Sequence, residues 1–185
     1  LLELSIRNKK DSRKLFAYMR FFLYLCSSKN TLHILYAMRH ISPSLLSADF
    51  GNLQRECEMI NRSSAEYLHI DVMDGVFVPN ISFGFPVMKA VKKHCQKPLD
   101  VHLMITQPEK YVERFCQAGA WSVGFHIEAT DDPMKAIRII REQGVRTCIT
   151  INPKTNIHVL DNYLGEVYMV LLMSVEAGYG GQAFI

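Results

Sequence analysis

The 185-residue chain has no Cys-x-x-Cys pair, no Gly-x-Gly-x-x-Gly turn, little clustered positive charge beyond its first 40 residues, and no bilayer-length apolar run. Its five cysteines (Cys26, Cys57, Cys95, Cys116 and Cys148) are odd in number and widely spaced. They read as small apolar residues of a reduced, cytoplasmic protein, which argues against both a disulfide framework and a zinc knot. Residues 1–40 hold eight Lys/Arg against Glu3 and Asp11, so the remainder carries 13 basic and 16 acidic groups, with Lys92-Lys93 as the main basic pair. A nucleic-acid groove needs a basic cluster, so that class is set aside. The apolar stretch 15–26 is interrupted by Arg20 and falls short of the ~20 residues of a membrane span. No membrane partner is expected. With seven prolines, ten glycines, 49% hydrophobic and 21% charged residues, the composition excludes collagen, coiled coil and disorder. One globular domain is the starting expectation.

Residues 1–37 differ in character from the rest of the chain. Lys9, Lys10, Arg13 and Lys14 precede an apolar run as in a targeting peptide, but no small-x-small cleavage site comes after it. Residues 1–37 are therefore read as an extension upstream of a start at Met38, and residues 38–185 as the N-terminal three quarters of one domain. N-terminal sequencing of the natural protein tests that division.

From residue 39 onward, β-rich runs alternate with helix-like stretches, the rhythm of a parallel sheet with crossover helices. Strands are predicted at 40–44, 67–72, 99–103, 122–127, 146–151 and 167–173, with helices between them. Asp49 or Asn52, Pro86, Pro108, and Asp131 or Asp132 with Pro133 mark helix starts. Gly119 and Gly144 mark helix ends. Six βα steps suit either a doubly wound sheet or most of an eight-stranded barrel. The first strand runs into Ser42-Pro43-Ser44-Leu45-Leu46, which has no glycine for a dinucleotide turn. An α/β fold of the (β/α)8 TIM-barrel type is favoured, and in that fold the chemistry sits at the C-terminal strand ends.

Because strand side chains alternate, His69, Asp71 and Met73 share one face, and Asp100, His102 and Met104 share another. Two neighbouring strands then offer His69, Asp71 and His102 together. Imidazole and carboxylate are the ligands of divalent zinc- or iron-type ions, and three such ligands with an open position make a catalytic centre. His126 and Glu128 repeat the His-x-acid spacing but are read as support around the site. Gly178-Tyr179-Gly180-Gly181 comes after an apolar strand, and glycine lets backbone amides approach an anion such as a sugar phosphate.

With these residues assembled, the chain resembles the ribulose-phosphate 3-epimerase family over about residues 41–185. The strings that carry the likeness are 42–50, 99–104, 173–184 and the long run His-Ile-Asp-Val-Met-Asp-Gly-Val-Phe-Val-Pro-Asn-Ile-Ser-Phe-Gly from His69 to Gly84. The resemblance implies a TIM barrel of the ribulose-phosphate-binding type. Its activity would be interconversion of D-ribulose 5-phosphate and D-xylulose 5-phosphate by proton transfer at C3, a step of the pentose phosphate pathway. It also implies one divalent ion (Zn, Fe, Mn or Co) on His69, Asp71 and His102, with Asp71 as catalytic acid/base. Ser44, His102, Met73, Met104, Met173, Gly178, Tyr179, Gly180 and Gly181 would bind substrate. By analogy the protein would be a cytoplasmic homo-oligomer.

The family's second catalytic aspartate, also its fourth metal ligand, and its phosphate loop come from pattern positions that would fall beyond Ile185. The expectation from this reading is a barrel truncated after about six βα units, and a chain that is poorly stable and inactive alone. Ala177 and Ala183 stand where the family usually has proline and commonly has lysine. Two alternatives stay open: epimerisation of a related ketose phosphate such as allulose 6-phosphate, and an inactive remnant. Decarboxylase-type barrels expect Asp-x-Lys-x-x-Asp, whereas Asp71 is followed by Val72-Met73-Asp74.

Overall fold

A computed structural model describes residues 40–183 and 185. The readings made on residues 1–37, Met38, Cys26 and Phe184 lie outside the described residues. Five strands, β1 (Leu68–Met73), β2 (Leu99–Met104), β3 (Ser122–His126), β4 (Arg146–Ile151) and β5 (Met169–Leu172), form one parallel sheet in the order β1-β2-β3-β4-β5. Each new strand is added on the same side of the last. A doubly wound sheet reverses direction part-way, so this monotonic order is the winding of a (β/α)8 barrel.

Helices α1 (Leu53–Arg62), α2 (Phe85–His94), α3 (Val112–Gln117) and α4 (Pro133–Glu142) alternate with the strands. Asp132, rather than Asp131, caps α4 by accepting the Lys135 amide at 3.1 Å. Asp49 caps the 3-10 turn Phe50–Asn52 that leads into α1, accepting the Gly51 amide at 3.0 Å. Gly119 and Gly144 come after α3 and α4 at φ +94° and +69°, the left-handed conformation expected of glycine past a helix end.

Two predicted elements differ. The strand expected at 40–44 makes only an isolated parallel bridge, Ser44 to His69. Its carbonyls accept, Ile41 from Tyr67 and Pro43 from His69 (2.8 Å). The Ile41 amide goes to the Glu66 carboxylate at 2.7 Å, and Pro43 has no amide hydrogen. Ser44 then turns into a 3-10 helix, Leu45–Ser47, which its own Oγ caps at Leu46 N. The crossover between β4 and β5 is also a 3-10 turn, Ile157–Leu160, instead of an α-helix.

Strand alternation sorts the sheet into two chemically distinct faces. Leu68, Ile70, Val72, Leu99, Val101, Leu103, Val123, Phe125, Ile149 and Val170 join Val91, Phe115, Ile137 and Ile140 of the helices in the main core. At ~25 cal/mol per Å2 of apolar surface buried, that layer is the chief favourable term of the fold. The other face carries His69, Asp71, Asp100, His102, Ser122 and His126, all buried, continued on β4 and β5 by Cys148, Met169 and Leu171. A buried polar face survives only where its groups satisfy one another.

Candidate metal centre

Lateral register decides which of these polar residues meet. β1 and β2 pair with Asp71 opposite His102 and His69 opposite Asp100. His102 Nδ1 lies 3.1 Å from Asp71 Oδ1, and His69 Nε2 lies 3.4 Å from the same oxygen. One ligand atom from each of His69, Asp71 and His102 falls within 4.8 Å of the others. All three are at most 1% exposed, so solvent does not supply their partners. Ser44 Oγ donates to Asp71 Oδ2, placing the sequence-predicted serine directly on the central carboxylate.

A supporting layer surrounds this trio. Asp100 Oδ2 holds His69 Nδ1 at 2.8 Å and its other oxygen accepts from Ser122 Oγ. On the far side, His102 Nε2 is 2.9 Å from His126 Nε2, and His126 Nδ1 is 3.3 Å from Glu128 Oε2. Sequence reasoning misses Asp100 as a site residue, although its place two residues before His102 puts it on the same strand face. His126 and Glu128, read as support, do stand beside a predicted ligand.

The electrostatics have their cause in the packing. Burial disfavours a charged His69, but the Asp71 and Asp100 carboxylates outweigh it and hold its pKa at about 9. Burial also opposes ionisation of Asp100, yet the charge and hydrogen bond of His69 and the bond from Ser122 bring it below the ordinary value. His102 goes the other way. Burial pushes it down to about 3, the bond to Asp71 working against the fall and His126 adding to it. The Asp71 and Asp100 carboxylates thus favour positive charge at this centre. Two imidazoles and a carboxylate, converging and buried, fit a divalent ion of the zinc or iron type.

The other predicted residues take two places. Met73 and Met104 pair across the β1–β2 register and cluster with Val78, against Leu46, Phe77 and Ala177. Met173 clusters with Cys148, Met169 and Leu171, and Ala177 packs against both groups. Gly178, at φ +110°, lies against the loop after β1, where its carbonyl accepts from Asn80 Nδ2 at 2.9 Å. A Cβ at Gly178 would come within 3.0 Å of Val78. Tyr179 Oη donates to the Pro79 carbonyl at 3.2 Å, while Gly180 and Gly181 are exposed.

Known proteins resemble the chain over these same strands. Residues 40–185 match the model of the ribulose-phosphate 3 epimerase family. The ribulose-phosphate 3-epimerase of Bacillus subtilis (strain 168) is 43% identical over 148 residues, covering 80% of this chain and 68% of the relative. That of Eremothecium gossypii is 41% identical over 156 residues (78% and 65%), and that of Synechocystis sp. 43% over 147 (78% and 64%). The chain thus spans about two thirds of the length of these relatives. A match that runs through every strand and takes in His69, Asp71 and His102 leaves one assignment: the chain belongs to the ribulose-phosphate 3-epimerase family.

Proposed function

We propose that this chain supplies the metal-holding residues and one acid/base of an isomerase that interconverts D-ribulose 5-phosphate and D-xylulose 5-phosphate. The observation that carries the reading is the buried convergence of His69, Asp71 and His102 on one face of two adjacent parallel strands. A divalent ion bound there supplies a Lewis acid that stabilises negative charge on the substrate oxygens as the C3 proton leaves.

The protein's own groups do the rest. Asp71 takes the C3 proton from one face of the substrate, with Ser44 donating to Oδ2 and fixing the carboxylate plane. His69 is oriented by Asp100 and His102 by His126, so neither ring has to reorganise during turnover. Met73, Met104 and Met173 furnish an apolar wall that excludes water from a carbanion-like intermediate. Inversion at C3 needs a second acid/base on the opposite face, which the family resemblance assigns to a later Asp-Gly-Gly strand. Gly178 to Gly181 serve the sugar-phosphate end of the substrate.

The reaction belongs to the pentose phosphate pathway, and a cytoplasmic location suits the buried free thiols of Cys57, Cys95, Cys116 and Cys148. Among the described residues no helix is long and apolar enough to cross a membrane. Self-association is proposed from the family and is read by sedimentation.

The test is exchange of the C3 hydrogen of ribulose 5-phosphate with deuterated water, assayed beside allulose 6-phosphate. The Asp71→Asn variant is expected to lower exchange by about 10²–10⁴-fold, the usual worth of a positioned acid/base. Exchange unaffected by that substitution would overturn the role of Asp71. Faster turnover of allulose 6-phosphate would replace the substrate.

A further inference from the structure

Beyond the ligand trio, a line of polar groups crosses the buried face of β2 and β3 and continues into the loop after β4. Glu128 Oε1 accepts the Asn152 amide at 2.8 Å and also the Thr155 hydroxyl. Its other oxygen, Oε2, faces His126 Nδ1 at 3.3 Å. His126 in turn meets His102 through their Nε2 atoms at 2.9 Å, the ring planes inclined by only 25° with centroids 5.0 Å apart. The Phe77 ring lies against His126 with centroids 4.9 Å apart, and His126 is fully buried. Each histidine nitrogen on this line therefore faces a defined protein atom.

Donor and acceptor roles along such a line are not independent. A neutral imidazole carries one N–H and one lone pair, so the role of one nitrogen dictates that of the other. A carboxylate can only accept. Glu128 Oε2 therefore requires the proton of His126 on Nδ1, which leaves His126 Nε2 as an acceptor. His102 must then donate through Nε2–H, and its Nδ1, 3.1 Å from Asp71 Oδ1, keeps a lone pair that only a cation held by both groups reconciles with the carboxylate; without the cation Asp71 draws a proton to Nδ1.

We infer that Glu128 and His126 are positioning residues that present the unprotonated Nδ1 of His102 to the metal. The inference rests on the reading of His102 as a ligand. It extends that reading by naming the groups, one and two positions removed from the ion, that select the tautomer. Partners of ligating histidines generally fix both ring orientation and tautomer in this way, and their loss typically weakens metal binding about 10–100-fold.

Glu128→Gln gives the sharpest test, because the environment dictates which way the amide turns. The Asn152 amide and the Thr155 hydroxyl continue to require an acceptor, so the carbonyl keeps the Oε1 place and the NH2 group faces His126. That group donates to Nδ1 and drives the proton of His126 to Nε2, against His102. Histidine-¹⁵N spectra of the full chain with zinc bound are expected to show His126 protonated on Nδ1 in the wild type and on Nε2 in the variant. With zinc bound, the wild type is expected to show coupling between the two Nε2 nitrogens across the hydrogen bond. Cobalt(II) titration monitored by visible absorbance should give an affinity about 10–100-fold lower in the variant.

A wild-type His126 protonated on Nε2 overturns the relay, and this measurement decides alone if Glu128→Gln does not fold. Unchanged cobalt affinity in a folded variant whose His126 tautomer has switched overturns it as well. A wild type that binds neither zinc nor cobalt removes the proposed metal-dependent function and with it the delivery of His102 to an ion, leaving only the Glu128–His126 contact.

Discussion

Asp100 shows how much of the centre depends on a residue that touches neither proposed ion nor substrate. Its two oxygens are taken by His69 and Ser122 in a fully buried setting, so its removal leaves two buried donors without an acceptor. Asp100→Asn is expected to lower metal affinity about 10–100-fold while retaining the fold, because the amide oxygen still accepts one bond. Asp100→Ala is expected to cost about 3–5 kcal/mol of stability as well, since breaking a buried charged pair strands the partner. Zinc competition against a chelator and denaturant melts of the two variants separate these effects. Equal metal affinity in wild type and Asp100→Asn would show that His69 needs no second carboxylate.

At the scale of elements, the strands owe their form to continuous burial and the helices to their ends. β1 and β2 are buried along their whole length, as parallel strands covered on both faces are. Helix α4 has its Asp132 cap and Pro133 start, and stops at Gly144 with φ +69°. No atom would crowd a Cβ at Gly144, so substitution there isolates the backbone term. Gly144→Ala is expected to destabilise by about 1 kcal/mol, the cost of a left-handed alanine, and Gly144→Asn by less. Urea midpoints measure both, and equal midpoints for alanine and glycine would mean that the turn relaxes out of the left-handed region.

Across the whole molecule, the loops at the C-terminal strand ends are tied to each other by carboxylates. Asp74 accepts the Val76 and Phe77 amides with one oxygen, and the Thr106 amide and hydroxyl with the other, locking the loop after β1 to the loop after β2. Burial opposes ionisation of Asp74, but these bonds outweigh it and its pKa is lowered. Glu128 ties the loop after β3 to that after β4. Burial raises it, and bonds from His126, Thr155 and Asn152 bring it down to about 2 from the ordinary 4.5. A carboxyl whose folded pKa is depressed contributes stability above its unfolded pKa and loses it as pH falls through the folded one. Stability is therefore expected to drop between about pH 4.5 and pH 2, more steeply in wild type than in Asp74→Asn. Denaturant titrations across that range check the slope, and identical slopes would remove Asp74 from the account.

The sequence by itself determined the alternation of strands and helices, because β-rich runs bounded by proline, aspartate and glycine are local signals. It also placed His69 with Asp71, and Asp100 with His102, on common strand faces, since a period of two is a property of one strand. The outcome at 40–44 was not legible, because there the Glu66 side chain takes the Ile41 amide, a contact 25 residues away, and Pro43 has none to give. Nor was the role of Asp100, or the reach of Glu128 to Asn152 and Thr155. Those depend on how neighbouring strands are offset along their length. Only the tertiary structure decides that offset, because a lateral shift leaves every local pattern intact while changing which buried carboxylate meets which imidazole.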